Sequence, residues 1–192
     1  MSPSNDEGVV FVSASDQCQL FKNVKEHIIY LPLTYLFFYY FQTPNQYKYI
    51  PVLNFPEGSN SMGRVLFSVK ANNDAHIALG VDAQHNGVHY EIVLGGWSNT
   101  GSVIRSGNQS PHLAVFAGSV LDSTEYVMFQ ISWDENMLTV DRSSNYDTST
   151  LVEIMKFEDR GNPIFNYDIK YMMISTGWGA TGEWKIIDYS SQ

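Results

Sequence analysis

The chain has 192 residues and a formal net charge of −9, from 20 acidic and 11 basic side chains. That length supports one domain with a substantial core. No basic run occurs, which excludes non-specific nucleic-acid binding, a task that needs Lys and Arg to neutralise phosphates, and argues equally against an anionic membrane surface.

The N-terminal MSPSNDEG is polar and acidic and reads as a flexible arm. It lacks a basic stretch followed by an apolar core, so no signal peptide is evident and the expected location is cytoplasmic, or outside the cell by non-classical secretion. The single cysteine, Cys18, excludes an intrachain disulfide and, on the sulfur side, a structural zinc site. It is read as a buried or neutral thiol. The apolar run IIYLPLTYLFFYYF (28–41) contains Pro32 and is 14 residues long, short of the ~20 needed to cross a bilayer. It is expected as buried or edge strand. The chain thus divides into an arm and aromatic-rich strand segment, 1–42, and a sandwich domain, 43–192.

Further along, GRVLFSVKA (63–71) alternates, with Val65, Phe67 and Val69 on one face and Arg64, Ser68 and Lys70 on the other. IALGVDAQHNGVHYEIVLGG carries Asn86-Gly87, a strong two-residue turn signal. That turn pairs His85 with Val88, Ala83 with Tyr90, Val81 with Ile92 and Leu79 with Leu94. His76, Ala78, Gly80 and Asp82 share the other face with Glu91. The same register sets Asp82 against Glu91, a like-charge pair that is either solvated or a weak cation site. His85 and His89 are four apart, a metal-binding spacing on a helix but not on the strands of a hairpin. VMFQISW (127–133), IKYMMIS (169–175) and WKIIDY (184–189) alternate as well. STLVEIMKFED (149–159) is the sole helix candidate and equally a strand. Short period-two runs bounded by Gly, Asn, Asp and Ser are strands. Their number and spacing predict an all-β fold, an antiparallel β-sandwich of jelly-roll, lectin-like type.

The stretch STGWGATGEW (Ser175 to Trp184) contains a literal G-x-G-x-x-G at Gly177, Gly179 and Gly182. A dinucleotide fingerprint needs a helix after the glycines and a βαβ setting. Here an alternating run follows instead. The glycines are therefore expected to form a tight loop, with positive φ and close backbone approach, and no cofactor. No G-x-S-x-G nucleophile turn is present.

Two tryptophans stand in glycine-flanked loops, Trp97 in GGWSNT and Trp178 in TGWGAT. Each either caps the core or offers an aromatic face to a sugar ring or terpenoid chain. Asn99, Arg105, Asp74 and His76 lie in the same stretches and form a set able to hydrogen-bond sugar hydroxyls. The alternatives are that Arg105 pairs with a carboxylate, that Asp74 closes the turn ANND, and that His76 is an ordinary surface group. The sequon Asn108-Gln109-Ser110 has meaning only in a secreted protein.

FSVKANNDAHIAL, YEIVLGGWSNTGSVIR, ISW and STGWGATGEWKI, in that order, resemble the domain of the farnesoic acid O-methyltransferase family, over about residues 43–188. The resemblance implies methyl transfer from S-adenosylmethionine to a terpenoid acid in the juvenile hormone pathway. The family domain also occurs in proteins tied to innate immunity, and some members resemble lectins in behaviour. After Trp133 the sequence departs from the family pattern, with Phe157 where a tryptophan would sit. A methyltransferase of the usual type needs an open α/β sheet, whereas these residues read as all-β. The residues themselves point to a non-catalytic recognition module for a carbohydrate or glycoconjugate, without cofactor. The alternatives are the methyltransferase, which would need S-adenosylmethionine, and an interaction scaffold self-associating through 28–41 as a homo-oligomer.

Overall fold

The alternating runs become two sheets in the computed structural model, which describes residues 37–55, 63–84, 87–134, 136–143, 145, 147–158 and 169–188. The arm, Cys18, Pro32 and the His85-Asn86 corner lie outside the described residues. The strands are β1 (Phe37–Thr43), β2 (Gln46–Asn54), β3 (Gly63–Ala71), β4 (Ala75–Gly80), β5 (Val88–Gly95), β6 (Gly101–Arg105), β7 (His112–Ala117), β8 (Val127–Asp134), β9 (Met137–Ser143), β10 (Leu151–Glu158), β11 (Tyr171–Thr176) and β12 (Gly182–Asp188).

Six strands form sheet A in the order β1-β12-β3-β8-β9-β10, and six form sheet B in the order β2-β11-β4-β5-β6-β7. All the pairings are antiparallel. The sheets pack face to face as a jelly-roll β-sandwich. Its core takes Phe67, Phe129, Ile131 and Trp184 from sheet A and Ile77, Leu79, Tyr90, Ile92 and Met172 from sheet B. These are the inward positions that the alternation marks, and apolar burial of about 25 cal/mol per Å2 drives their closure. The helix-or-strand candidate resolves as strand over Leu151–Glu158, which is β10, preceded by a short 3-10 turn, Thr148–Thr150. Phe157 is partly buried and packs against the core.

The hairpin between β4 and β5 differs from its expected register. Leu79 pairs with Tyr90, Ile77 with Ile92 and Ala75 with Leu94, so each partner lies four residues from the expected one. A shift by an even number keeps every side chain on its own face, so the apolar pattern is satisfied equally by both registers. The backbone decides between them. A bulge at Leu79/Gly80 ends the ladder early, and Gly80 lets the Gly87 carbonyl approach where a Cβ would stand 2.3 Å from its oxygen. The connection is consequently longer than two residues, with Val81 N–H donating to Gly87 O at 3.1 Å. This removes the Asp82–Glu91 pair. Asp82 sits in the loop and accepts from Gln84 N–H at 2.9 Å, while Glu91 faces Ala78. Among the described residues no group of three or more His, Cys, Asp and Glu side chains gathers as a metal site.

The glycine-rich stretch joins β11 to β12, and it leads into a strand. Gly179 takes φ 95°. At Gly182 a Cβ would lie 2.7 Å from Trp184 Nε1 and 2.8 Å from Thr43 Oγ1. Those two atoms hydrogen-bond to each other at 2.9 Å, and Thr43 Oγ1 also meets Thr176 Oγ1 at 2.8 Å, all in the interior. Gly182→Ala is therefore expected to lower stability by roughly 1–3 kcal/mol, the usual range for overpacking, as read by urea denaturation.

Candidate functional site

The outer face of sheet B carries the chemistry. His76 and Ala78 on β4, Glu91 on β5, Arg105 on β6, Ser175 on β11 and Tyr47 and Tyr49 on β2 share this face because period-two alternation turns them away from the core. Glu91 is 0% exposed. Its Oε1 accepts from the hydroxyls of Tyr47 and Tyr49, the latter at 2.7 Å, and stands 3.1 Å from His76 Nδ1. Its Oε2 accepts from Arg105 Nη1 at 2.9 Å and Gln109 N–H at 3.0 Å. Burial alone would raise the carboxyl's pKa, but hydrogen bonds from His76, Tyr47, Tyr49 and Gln109 outweigh it and hold the group well below the usual carboxylate range. Burial and the adjacent carboxylate push both tyrosine hydroxyls well above the ordinary phenol value. His89, on the same strand, has its pKa lowered by burial.

Strained loops bring further side chains over this floor. Among the described residues the non-glycine positions with positive φ are Asp74, Trp97, Ser98, Asn99, Gln109 and Trp178. All but Asn99 line a single cleft of about 460 Å3, together with Asn73, His76, Val93, Gly96 and Arg105. Left-handed backbone costs an L-residue roughly 1–2 kcal/mol. Such strain persists only where the surroundings over-determine it, and it concentrates at functional sites.

At Trp97, Ser98 and Asn99 three successive residues are left-handed, and Asn99 holds them there. Its Oδ1 accepts from the Val120 and Leu121 N–H groups at 3.1 Å each, and its Nδ2 donates to Leu121 O at 2.9 Å. Gly95, at φ 62°, has no room for a Cβ, which would stand 2.6 Å from Leu121. Thr100 closes the turn, its Oγ1 donating to Trp97 O at 2.7 Å.

Of the six residues singled out in the sequence, Trp97, Trp178, Arg105, Asp74 and His76 meet at this cleft. Asn99 does not line it, because its polar atoms are engaged with the 120–121 backbone and it positions Trp97 instead. The two tryptophans are 53% and 57% exposed, so neither caps the core. Trp178 stacks on the His76 ring at 5.2 Å and 28° and touches Tyr47 at 4.9 Å. Trp97 lies edge-on to His112 at 5.5 Å. Arg105 does pair with a carboxylate, that of Glu91, while its Nε is buried without a hydrogen-bond partner. Asp74 takes φ 48° in the β3–β4 turn and donates its N–H to Gly95 O at 3.0 Å. His76 is not a surface group: it is 2% exposed, with Nε2 unpartnered and 3.9 Å from Asp74 Oδ1. Sequence reasoning missed the central part of Glu91 and the contributions of Tyr47, Tyr49 and Gln109. The i, i+2 tyrosines of QYKYI were a usable signal for one strand face.

Fold and site together define an antiparallel β-sandwich with a tryptophan-flanked polar cleft on one outer face. The chain belongs to the family described as "Farnesoic acid 0-methyl transferase", whose profile matches residues 43–190. A comparison with curated proteins found no match. Among solved structures, Caenorhabditis elegans galectin LEC-6 is similar at 12% identity and TM-score 0.49, over 78% of this chain and 96% of that one. Sheep galectin-11 in complex with glycerol is similar at 14% identity and TM-score 0.47, over 76% and 97%. The exoplasmic/lumenal domain of VIP36 in its Ca2+/Man3GlcNAc-bound form is similar at 10% identity and TM-score 0.49, over 79% and 73%.

Removing the central carboxylate has two expected consequences. Glu91→Ala leaves Arg105, His76 and two hydroxyls without their acceptor and is expected to cost about 3–5 kcal/mol in denaturant unfolding. In the parent protein the unfolded chain takes up a proton near the ordinary glutamate value of 4.5 before the folded one does. Stability therefore falls as pH drops below that value toward the depressed folded one. Glu91→Gln is expected to flatten that acid limb when unfolding free energy is measured against pH.

Proposed function

We propose that this sandwich is a non-catalytic recognition module that holds a carbohydrate or glycoconjugate in the cleft between Trp97 and Trp178. The observation that carries the reading is the pair of half-exposed indoles held by left-handed backbone beside a polar floor. An aromatic face buries the apolar side of a sugar ring while directional polar groups read its hydroxyls. Asp74, His76 and Arg105 supply such groups from the rim and floor. Backbone strain retained at these positions fits a preorganised surface, which loses less entropy when a ligand binds.

The family description favours a second reading, methylation of farnesoic acid with S-adenosylmethionine. Against it stands the architecture that such a cofactor usually takes, a parallel sheet with a glycine-rich turn opening a helix. In this chain the glycine-rich turn opens strand β12.

Binding of methyl glycosides, measured by calorimetry, tests the recognition reading. Trp97→Ala and Trp178→Ala are each expected to weaken binding roughly 30-fold, the effect of losing about 2 kcal/mol at an interface anchor. Trp97→Ala, at a position this exposed, should leave unfolding free energy within about 0.5 kcal/mol. Thermal shift with S-adenosylmethionine discriminates the rival: a rise in melting temperature reports native-state binding and would transfer the assignment to the methyltransferase.

A further inference from the structure

The cleft floor has a hydrogen-bonding polarity that selects among sugars, an inference that rests on the recognition reading above. Ionised Glu91 can only accept, so His76 Nδ1, 3.1 Å from Oε1, carries the imidazole proton. In the neutral ring Nε2 is then a bare lone pair. It belongs to a side chain 2% exposed, has no hydrogen-bond partner, and lies 3.9 Å from a second acceptor, Asp74 Oδ1. Trp178 covers the ring face and fixes its plane. On the donor side, Arg105 already gives Nη1 to Glu91, and its buried Nε is unpartnered. With His76 uncharged, Asp74 and Glu91 against Arg105 leave the floor with one net negative charge.

A carboxylate placed here would meet a lone pair and a like charge, in a partly buried setting where screening by water is weak. Adjacent hydroxyls of an uncharged ring would meet two acceptors at a spacing both can reach. We infer that the floor takes two neighbouring hydroxyls of a neutral pyranose, both donating, one to His76 Nε2 and the other to Asp74 Oδ1, and rejects a uronate there. His76 acts as an acceptor because Glu91 fixes its tautomer, so Glu91 is a positioning residue for the selection.

The test uses the parent protein. Nitrogen NMR of labelled histidine is expected to show Nε2 of His76 unprotonated in the free protein. Calorimetry then compares methyl glucoside, galactoside and mannoside with their single-position deoxy and deoxyfluoro forms and with the matching uronates. Fluorine accepts but cannot donate. At two adjacent ring positions both replacements should therefore weaken binding about 10- to 100-fold, the range for leaving a buried acceptor unpaired. Uronates should bind more weakly than the neutral parents, and Asp74→Asn, which tolerates the same left-handed backbone, should narrow that gap. A protonated Nε2, a deoxyfluoro form that keeps the affinity its deoxy form loses, a uronate that binds more tightly, or binding that requires added Ca2+ would each overturn the inference alone. Silence from every glycoside and uronate would overturn the recognition reading and this one with it.

Discussion

An ionised carboxylate taken out of water costs several kcal/mol unless its lone pairs are matched, and Glu91 is matched by donors from every side. Tyr47 and Tyr49 reach it from β2, His76 from β4, Arg105 from β6, and the Gln109 N–H from the loop beyond. Strands β2 and β4 are not even neighbours, since β11 lies between them. One buried group therefore fixes the outer face of most of sheet B. It also sets the orientation of His76, and with it the chemistry that the cleft offers. A single side chain thus holds both the sheet face and the floor of the cleft.

Around that centre, the loops are held in conformations they would not choose alone. Trp97 and Trp178 project outward because their backbone is left-handed, which turns a bulky side chain away from the path of its strand. Hydrogen bonds to Asn99 Oδ1 and the close packing at Gly95 maintain the turn on one side. On the other, Gly179 N–H donates to Asn45 Oδ1 at 2.9 Å, tying the Trp178 loop to the β1–β2 corner. The indoles are thus presented by a rigid frame, and their exposure follows from the way the turns are built.

Much of this was legible in the sequence. Alternation located β3, β8, β11 and β12 to within two residues and assigned the faces of β4 and β5, so His76 and Glu91 were placed on one side. Register was not legible, because a four-residue slip leaves the face pattern intact and only the bulge at Gly80 separates the two solutions. The glycine-flanked tryptophans could be read as loop residues, yet a core cap and an exposed platform share the same local sequence. Burial of His76 and the internal use of Asn99 depend on partners 15 and about 21 residues away. Tyr47, at a separation of 44 from Glu91, is farther still. Local pattern carries no information about those meetings.

That spread along the chain has a kinetic consequence. The cleft draws on side chains from Tyr47 beneath it to Trp178 at its rim, with His76 of β4, Val93 of β5 and Arg105 of β6 between them. Protein synthesis delivers these segments in order, and pairings across such separations form late because the intervening loops must close first. Until β11 inserts between β2 and β4, Glu91 lacks its tyrosines and His76 lacks its indole cover. Partly made or partly folded chains thus expose an incomplete floor, and the cleft is complete only once the whole sheet has assembled.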